Sequence, residues 1–317
     1  MRRITSAIPA IVLVAAALCA GCGADQHARL VLEPDATQGR IEENLKGTAD
    51  QLVRFDRIDD HRVIPIDDET QIDVWVIKAD PAATTTAPSG PKGTVIILHG
   101  LGESKASFPY FGAAKVLARK GYDVVLPDLR AHGRSGGKYV TYGAKEKHDV
   151  KAVMDALLVD GTVSQPLYAC GATLGGATAI QYAAIDPRCK AVLAITPYQD
   201  FQAIARHKLL PLGVTGEKLA AAIEKAEELG DFQAADASTT DAAASLTVPL
   251  LLVHGMIDLR VPAEQSKAIY QAAAGPKELR LVTPGPEQVA MFTIMEDWLA
   301  DNMDALIQNP PQTPEAE

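Results

Sequence analysis

The chain has 317 residues, 47% hydrophobic and 22% charged, with 40 acidic side chains against 30 basic ones. That balance is ordinary for a globular protein and excludes wholesale disorder. The net charge of −10, with no basic block, excludes a nucleic-acid binder, which needs clustered Lys and Arg to meet phosphates.

Arg2 and Arg3 precede an apolar run from Ala7 to Ala20, which ends in Cys19-Ala20-Gly21-Cys22. A positive start, an apolar stretch too short to span a bilayer and small residues before a cut site predict a secretory signal over residues 1–21. Small residues ending in cysteine resemble the lipobox of bacterial lipoproteins, with Cys19 in place of the usual leucine. The resemblance implies that Cys22 is lipidated and becomes the new N-terminus. A plain signal peptide or an uncleaved anchor is the alternative. The implied location is the cell envelope, outside the inner membrane. Gly23, rather than aspartate, after the cysteine is similar to lipoproteins held at the periplasmic face of the outer membrane. Two cysteines remain, Cys170 and Cys189. They fall at opposite ends of neighbouring strands, roughly 15 Å apart, beyond the ~7 Å limit for a bridge, so both are expected as buried thiols.

Residues 22–55 are polar and mixed and read as a lipidated tether with a loosely packed lead-in, with a short helix around Gln38 to Asp50. The main domain is expected over residues 56–307. Arg62 to Ile66 and Ile72 to Ala79 predict a hairpin turning at Asp67 to Thr70. Residues 81–93, rich in Pro, Thr and Gly, form a loop by composition. From Thr94 the chain alternates strand and helix. Strands are expected at Thr94–Leu98, Tyr122–Leu126, Leu167–Cys170 and Ala191–Ile195, and helices at Ala106–Lys120, Lys145–Val159 and Ala177–Ala184. Continuously apolar strands separated by helical patterns imply a mostly parallel sheet with helices on both faces. Residues 197–247 interrupt the alternation with no strand signal and one clear helix, Glu217 to Leu229. They predict a small helical lid above the carboxyl ends of the strands. The pattern resumes with strand Val248–His254, helix Ala263–Ala273, strand Glu278–Val282 and a closing helix, Val289–Leu306. Residues 308–317 read as a disordered tail.

Cys170-Gly171-Ala172-Thr173-Leu174-Gly175-Gly176 lies between an apolar strand and a small-residue helix. Strand, glycine-flanked turn and helix are the setting of a nucleophile elbow, in which a strained turn lifts one hydroxyl above the sheet. The G-x-S-x-G pattern has serine at its centre; here the centre is Thr173. The Gly175-Gly176 pair is expected to allow close packing of helix on strand. Three other segments follow strands in chain order: His99-Gly100-Leu101, Asp128 to Ser135, and His254 to Pro262.

These four segments together resemble the α/β-hydrolase superfamily, and within it the serine-aminopeptidase-like and dienelactone-hydrolase-like group, over roughly Gly93 to Asn302. The resemblance implies an α/β-hydrolase fold and an acyl hydrolase acting on ester or peptide bonds. It assigns an oxyanion hole to the backbone N–H groups of Leu101 and Leu174, and the triad acid to Asp258, with Asp200 a weaker candidate. Where the family has its histidine base, this chain has Gln288, and no histidine follows His254. A carboxamide takes up no proton near pH 7. His207, in the lid, is the one histidine expected to reach the elbow. His99 reads as a structural histidine in a turn, and Asp128, Arg130 and His132 as a network that stabilises their loop. No set of metal ligands at workable spacing and no phosphate loop is present, so neither metal nor cofactor is expected. The degenerate set Thr173, Asp258, Gln288 leaves three readings open: an impaired hydrolase that binds a small ester, amide or other ligand; an active, slow esterase or aminopeptidase using Thr173; and a purely structural envelope lipoprotein. The membrane is the other expected partner, reached through the lipid on Cys22.

Overall fold

The computed structural model describes residues 23–34, 58–84, 90–258, 260–283 and 295–312. The signal, Cys22, the Gln38–Asp50 helix, Gln288 and the last five residues of the tail lie outside them. Eight strands form one sheet: β1 (Asp60–Pro65), β2 (Gln71–Ile77), β3 (Thr94–Leu98), β4 (Asp123–Pro127), β5 (Leu167–Ala172), β6 (Cys189–Ile195), β7 (Leu250–Gly255) and β8 (Lys277–Val282). Their spatial order is β1-β2-β4-β3-β5-β6-β7-β8. The expected hairpin is present: β2 runs antiparallel to β1 and also to β4. All other neighbours are parallel.

Every residue of β3, β4, β5 and β7 is buried, whereas the edge strands β1 and β8 are largely open. This is why the inner strands read as continuous apolar runs, while the edges carry charge. Arg62 on β1 pairs with Asp60 and Asp160, and Arg280 on β8 pairs with Glu278. Charged edges discourage further strand pairing.

Helices cover both faces. On one, α2 (Phe108–Arg119) packs against α9 (Met295–Gln308). On the other lie α3 (Glu146–Val159), α4 (Leu174–Ile185) and α8 (Ala263–Ala272). Between β6 and β7 the chain builds α5 (Phe201–Leu209), α6 (Gly216–Gly230) and α7 (Thr239–Ser245), where the lid was expected. Of these, α5 borders the site, α6 packs on α1 and α5, and α7 packs on α4 and α8 as part of the covering layer. Both Cys170 and Cys189 are free and buried.

The lead-in differs from expectation. Residues Ala24–Leu32 form α1, which buries His27, Ala28, Val31 and Leu32 and packs against α5 and α6. Arg29 pairs with Asp25 and Glu33 at four-residue spacing and donates to the Tyr139 hydroxyl at 2.9 Å. Nine residues with so narrow an apolar stripe are not stable alone; tertiary packing makes this helix.

The glycines at the β5–α4 junction have the role their spacing predicted. An ideal Cβ on Gly175 would lie 2.1 Å from the Leu98 carbonyl oxygen, and one on Gly171 would lie 2.6 Å from the same atom. Backbone cannot move aside as a side chain can. Gly175→Ala is therefore expected to destabilise the fold by about 3 kcal/mol or more. A urea-unfolding midpoint measures the loss; a midpoint unchanged from the parent would refute the close crossing.

Candidate functional site

β5 ends at Ala172 and α4 begins at Leu174, so Thr173 alone makes the turn. Its backbone stands at φ 48°, ψ −108°, a conformation strained for a β-branched residue. The turn is fixed by the Thr173 N–H donating to the Ile195 carbonyl at 2.8 Å, and by the Ala177 N–H donating to the Thr173 carbonyl at 3.0 Å. The neighbouring strand β6 and the first turn of α4 thus hold the elbow in place.

The Leu101 N–H donates to Thr173 Oγ1 at 3.2 Å. Leu174 opens α4, so its N–H lies outside the intrahelical ladder. Of the two donors that the family resemblance assigned to the oxyanion hole, the Leu101 N–H reaches the threonine hydroxyl in space and the Leu174 N–H follows it in the chain. The loop carrying Leu101 is held by side chains. Gly100 N–H donates to Glu103 Oε2 at 2.8 Å and to the Tyr110 hydroxyl at 3.1 Å, and the Tyr110 hydroxyl itself donates to Glu103 Oε2. An ideal Cβ on Gly100 would fall 2.4 Å from Glu103 Oε2 and 2.8 Å from Thr173 Oγ1, so only glycine fits between them. Reading the sequence alone missed Glu103 and Tyr110. Their signal was position, since Glu103 stands in the same turn as His99-Gly100.

His99 and His132 are structural, as expected. The Leu129 N–H donates to His99 Nε2 at 2.9 Å, and the Gly102 N–H donates to His132 Nε2 at 3.0 Å. Each Nε2 accepts, so each Nδ1 carries the proton, towards the Gly100 carbonyl for His99 and the Arg130 carbonyl for His132. Burial pulls His99 down to about 3 and His132 below its ordinary value. Both rings are neutral at pH 7, which their role as acceptors requires. Around them, Asp128 accepts from Lys105 and from the Arg134 N–H at 2.8 Å, and Arg130 forks onto Asp149 through two bonds of 2.6 Å.

Asp258 lies in the loop after β7. Its Oδ1 accepts from the N–H groups of Arg260 and Val261 at 2.7 and 2.9 Å, and its Oδ2 stands 3.9 Å from His254 Nε2. His254 is committed elsewhere: Nε2–H donates to the Val261 carbonyl and Nδ1 accepts from the Ser266 hydroxyl, both at 2.7 Å. Burial lowers its pKa and keeps it neutral. Asp200 caps α5: its Oδ1 accepts from the Ala203 N–H at 2.6 Å and its Oδ2 from the Gln199 side-chain amide at 3.2 Å. Gln288 falls outside the described residues.

Above Thr173 opens a cavity of about 350 Å³. Leu101, Leu174, Ile204 and Val261 supply apolar wall, together with the rings of Tyr142 and Tyr198; His207, Lys208 and Arg260 supply its basic groups. The lid thus does bring His207 to the chamber that Thr173 faces. Tyr198 was not foreseen, although it follows the carboxyl end of β6, where open α/β sheets bind ligands. Among the described residues no group of three His, Cys, Asp or Glu side chains is placed to hold a metal ion.

Residues 89–219 match the family described as serine aminopeptidase, S33. The chain is 26% identical over 259 residues to the uncharacterized protein YqkD of Bacillus subtilis, covering 76% of this chain and 81% of that protein. It is 25% identical over 264 residues to the monoacylglycerol lipase of Mycolicibacterium smegmatis, covering 69% and 91%. Among solved structures it is similar to the esterase Pf2001 of Pyrococcus furiosus, with a TM-score of 0.59 at 23% identity over 78% of this chain and 90% of that one. Strand order, elbow and these likenesses together give the chain an α/β-hydrolase fold.

Proposed function

We propose that this is a secreted, lipid-anchored α/β-hydrolase-fold protein that binds a small acyl ester, amide or related ligand over Thr173, with acyl hydrolysis largely lost. The observation that carries the reading is Thr173 itself, which stands on the elbow with its hydroxyl oxygen taking the Leu101 N–H, while Gln288 occupies the base position in the sequence. In a comparable triad, loss of nucleophile or base alone costs about 10⁶ in kcat, and the oxyanion hole leaves roughly 10³–10⁴ over water. Two of three positions differ here. The threonine methyl further restricts χ1 and crowds the approach to a carbonyl carbon. What survives is a chamber with backbone donors.

A second reading is favoured by one placement: His207 lines the same cavity as Thr173. It would serve as general base to a threonine nucleophile in a slow esterase or aminopeptidase. The test uses the chain from Gly23 onward with 4-nitrophenyl esters and aminoacyl 4-nitroanilides, beside Thr173→Ala and His207→Ala. The binding reading expects turnover no greater than about 10³–10⁴ over water and unchanged in both variants. Turnover abolished by Thr173→Ala would establish the slow hydrolase instead. For the anchor, labelled fatty acid should enter the full-length protein in a bacterial host and fail to enter Cys22→Ser.

A further inference from the structure

The chamber over Thr173 has a one-sided polarity. Acids outnumber bases in the whole protein, 40 to 30, yet among the described residues no Asp or Glu lines this cavity, and Lys208 and Arg260 do. The Lys208 ammonium rests on neutral oxygens, the Tyr142 hydroxyl at 3.0 Å and the Val31 carbonyl at 3.3 Å. Those bonds fix its position without cancelling its charge. Arg260 gives its backbone N–H to Asp258. Among the described residues no carboxylate pairs with the side chain of either cation.

Tyr198 closes the wall behind them, 2% exposed and set edge-on against Tyr142 with centroids 5.5 Å apart.

We propose that this cavity binds a small carboxylate-bearing molecule. Its acyl or aryl body lies between Leu101, Ile204, Leu174 and Val261, and its carboxylate meets Arg260 and Lys208. A volume of about 350 Å³ limits the ligand to a small one. The guanidinium fork matches a carboxylate in geometry, and apolar walls strengthen the attraction by keeping water away. This inference rests on the reading of the site as a binding chamber and names what enters it.

Calorimetric titration of the protein with 4-phenylbutyrate and its neutral counterpart 4-phenylbutyramide separates the two. The acid is expected to bind about tenfold tighter than the amide, with the preference shrinking as salt is raised. Arg260→Gln, at an exposed side chain, should bring the ratio close to one. Equal affinities for acid and amide, or a preference that survives Arg260→Gln, would overturn the carboxylate assignment and leave the binding chamber standing. Failure of both probes to bind would overturn the assignment together with the binding reading on which it rests.

Discussion

Thr173→Ser combined with Gln288→His is expected to raise kcat/KM for 4-nitrophenyl butyrate at least about 10²-fold over the parent, with each single change giving less than about tenfold. The asymmetry follows because nucleophile and base act as one unit, so restoring either alone restores little. Serine removes the methyl that restricts χ1 on the strained turn. Histidine supplies the proton acceptor that an amide cannot. The remaining parts stand ready: the Leu101 N–H already reaches the hydroxyl at position 173, and Asp258 spends Oδ1 on its own loop while Oδ2 makes no backbone hydrogen bond. Steady-state kinetics on the four proteins decide the matter. A double variant no faster than the parent would mean that the chamber has diverged along with its triad.

The second large effect concerns stability. Lys105 is a buried lysine, 2% exposed, whose ammonium lies 2.6 Å from Asp73 Oδ1, hydrogen-bonds Asp128 Oδ2 and sits 5.0 Å over the Trp75 ring. Lys105→Met would take the ammonium from buried Asp128 and leave buried Asp73 with only His61 and the Arg134 guanidinium at 3.9 Å, at an expected cost of about 3–5 kcal/mol. The pH dependence carries the signature. Burial alone would raise the Asp128 pKa; Lys105 and its other partners outweigh burial and hold it below the ordinary value. In the parent, therefore, Asp128 contributes stability above its unfolded pKa of 3.8, and that contribution is lost as pH falls. Without the ammonium, burial dominates and the sign reverses. The variant should recover part of its deficit on acidification from pH 7 towards 4, and Lys105→Met with Asp128→Asn should recover part of it at pH 7. Urea midpoints across that range test both; a deficit independent of pH would show that Lys105 acts through packing alone.

Much of the fold was legible because the inner strands are buried on both faces, which writes them as unbroken apolar runs such as Thr94–Leu98. The elbow was legible because a helix cannot approach a strand so closely without Gly171 and Gly175. The neutral roles of His99 and His132 were legible from their places in turns. What escaped reading depends on contacts distant in sequence. Helix α1 has too few apolar residues to announce itself and exists through α5 and α6. The use of Asp200 as a helix cap shows only once the helix beginning at Phe201 is in place. Tyr198, Lys208 and Arg260 belong to three different segments, and only folding brings them to one chamber.

The docked N-terminal helix has a mechanical consequence. The Val31 carbonyl, at the end of α1, accepts from the Tyr142 hydroxyl at 2.5 Å and from Lys208, and both residues are walls of the chamber. Gly23 is the residue immediately before that helix. Anything fastened at Gly23, whether a purification tag or a solid support, is therefore coupled through a helical lever of about two and a half turns to the walls of the chamber rather than through a slack cord. Tension applied at Gly23 is passed along α1 to Tyr142 and Lys208, which hold its last turn through the Val31 carbonyl.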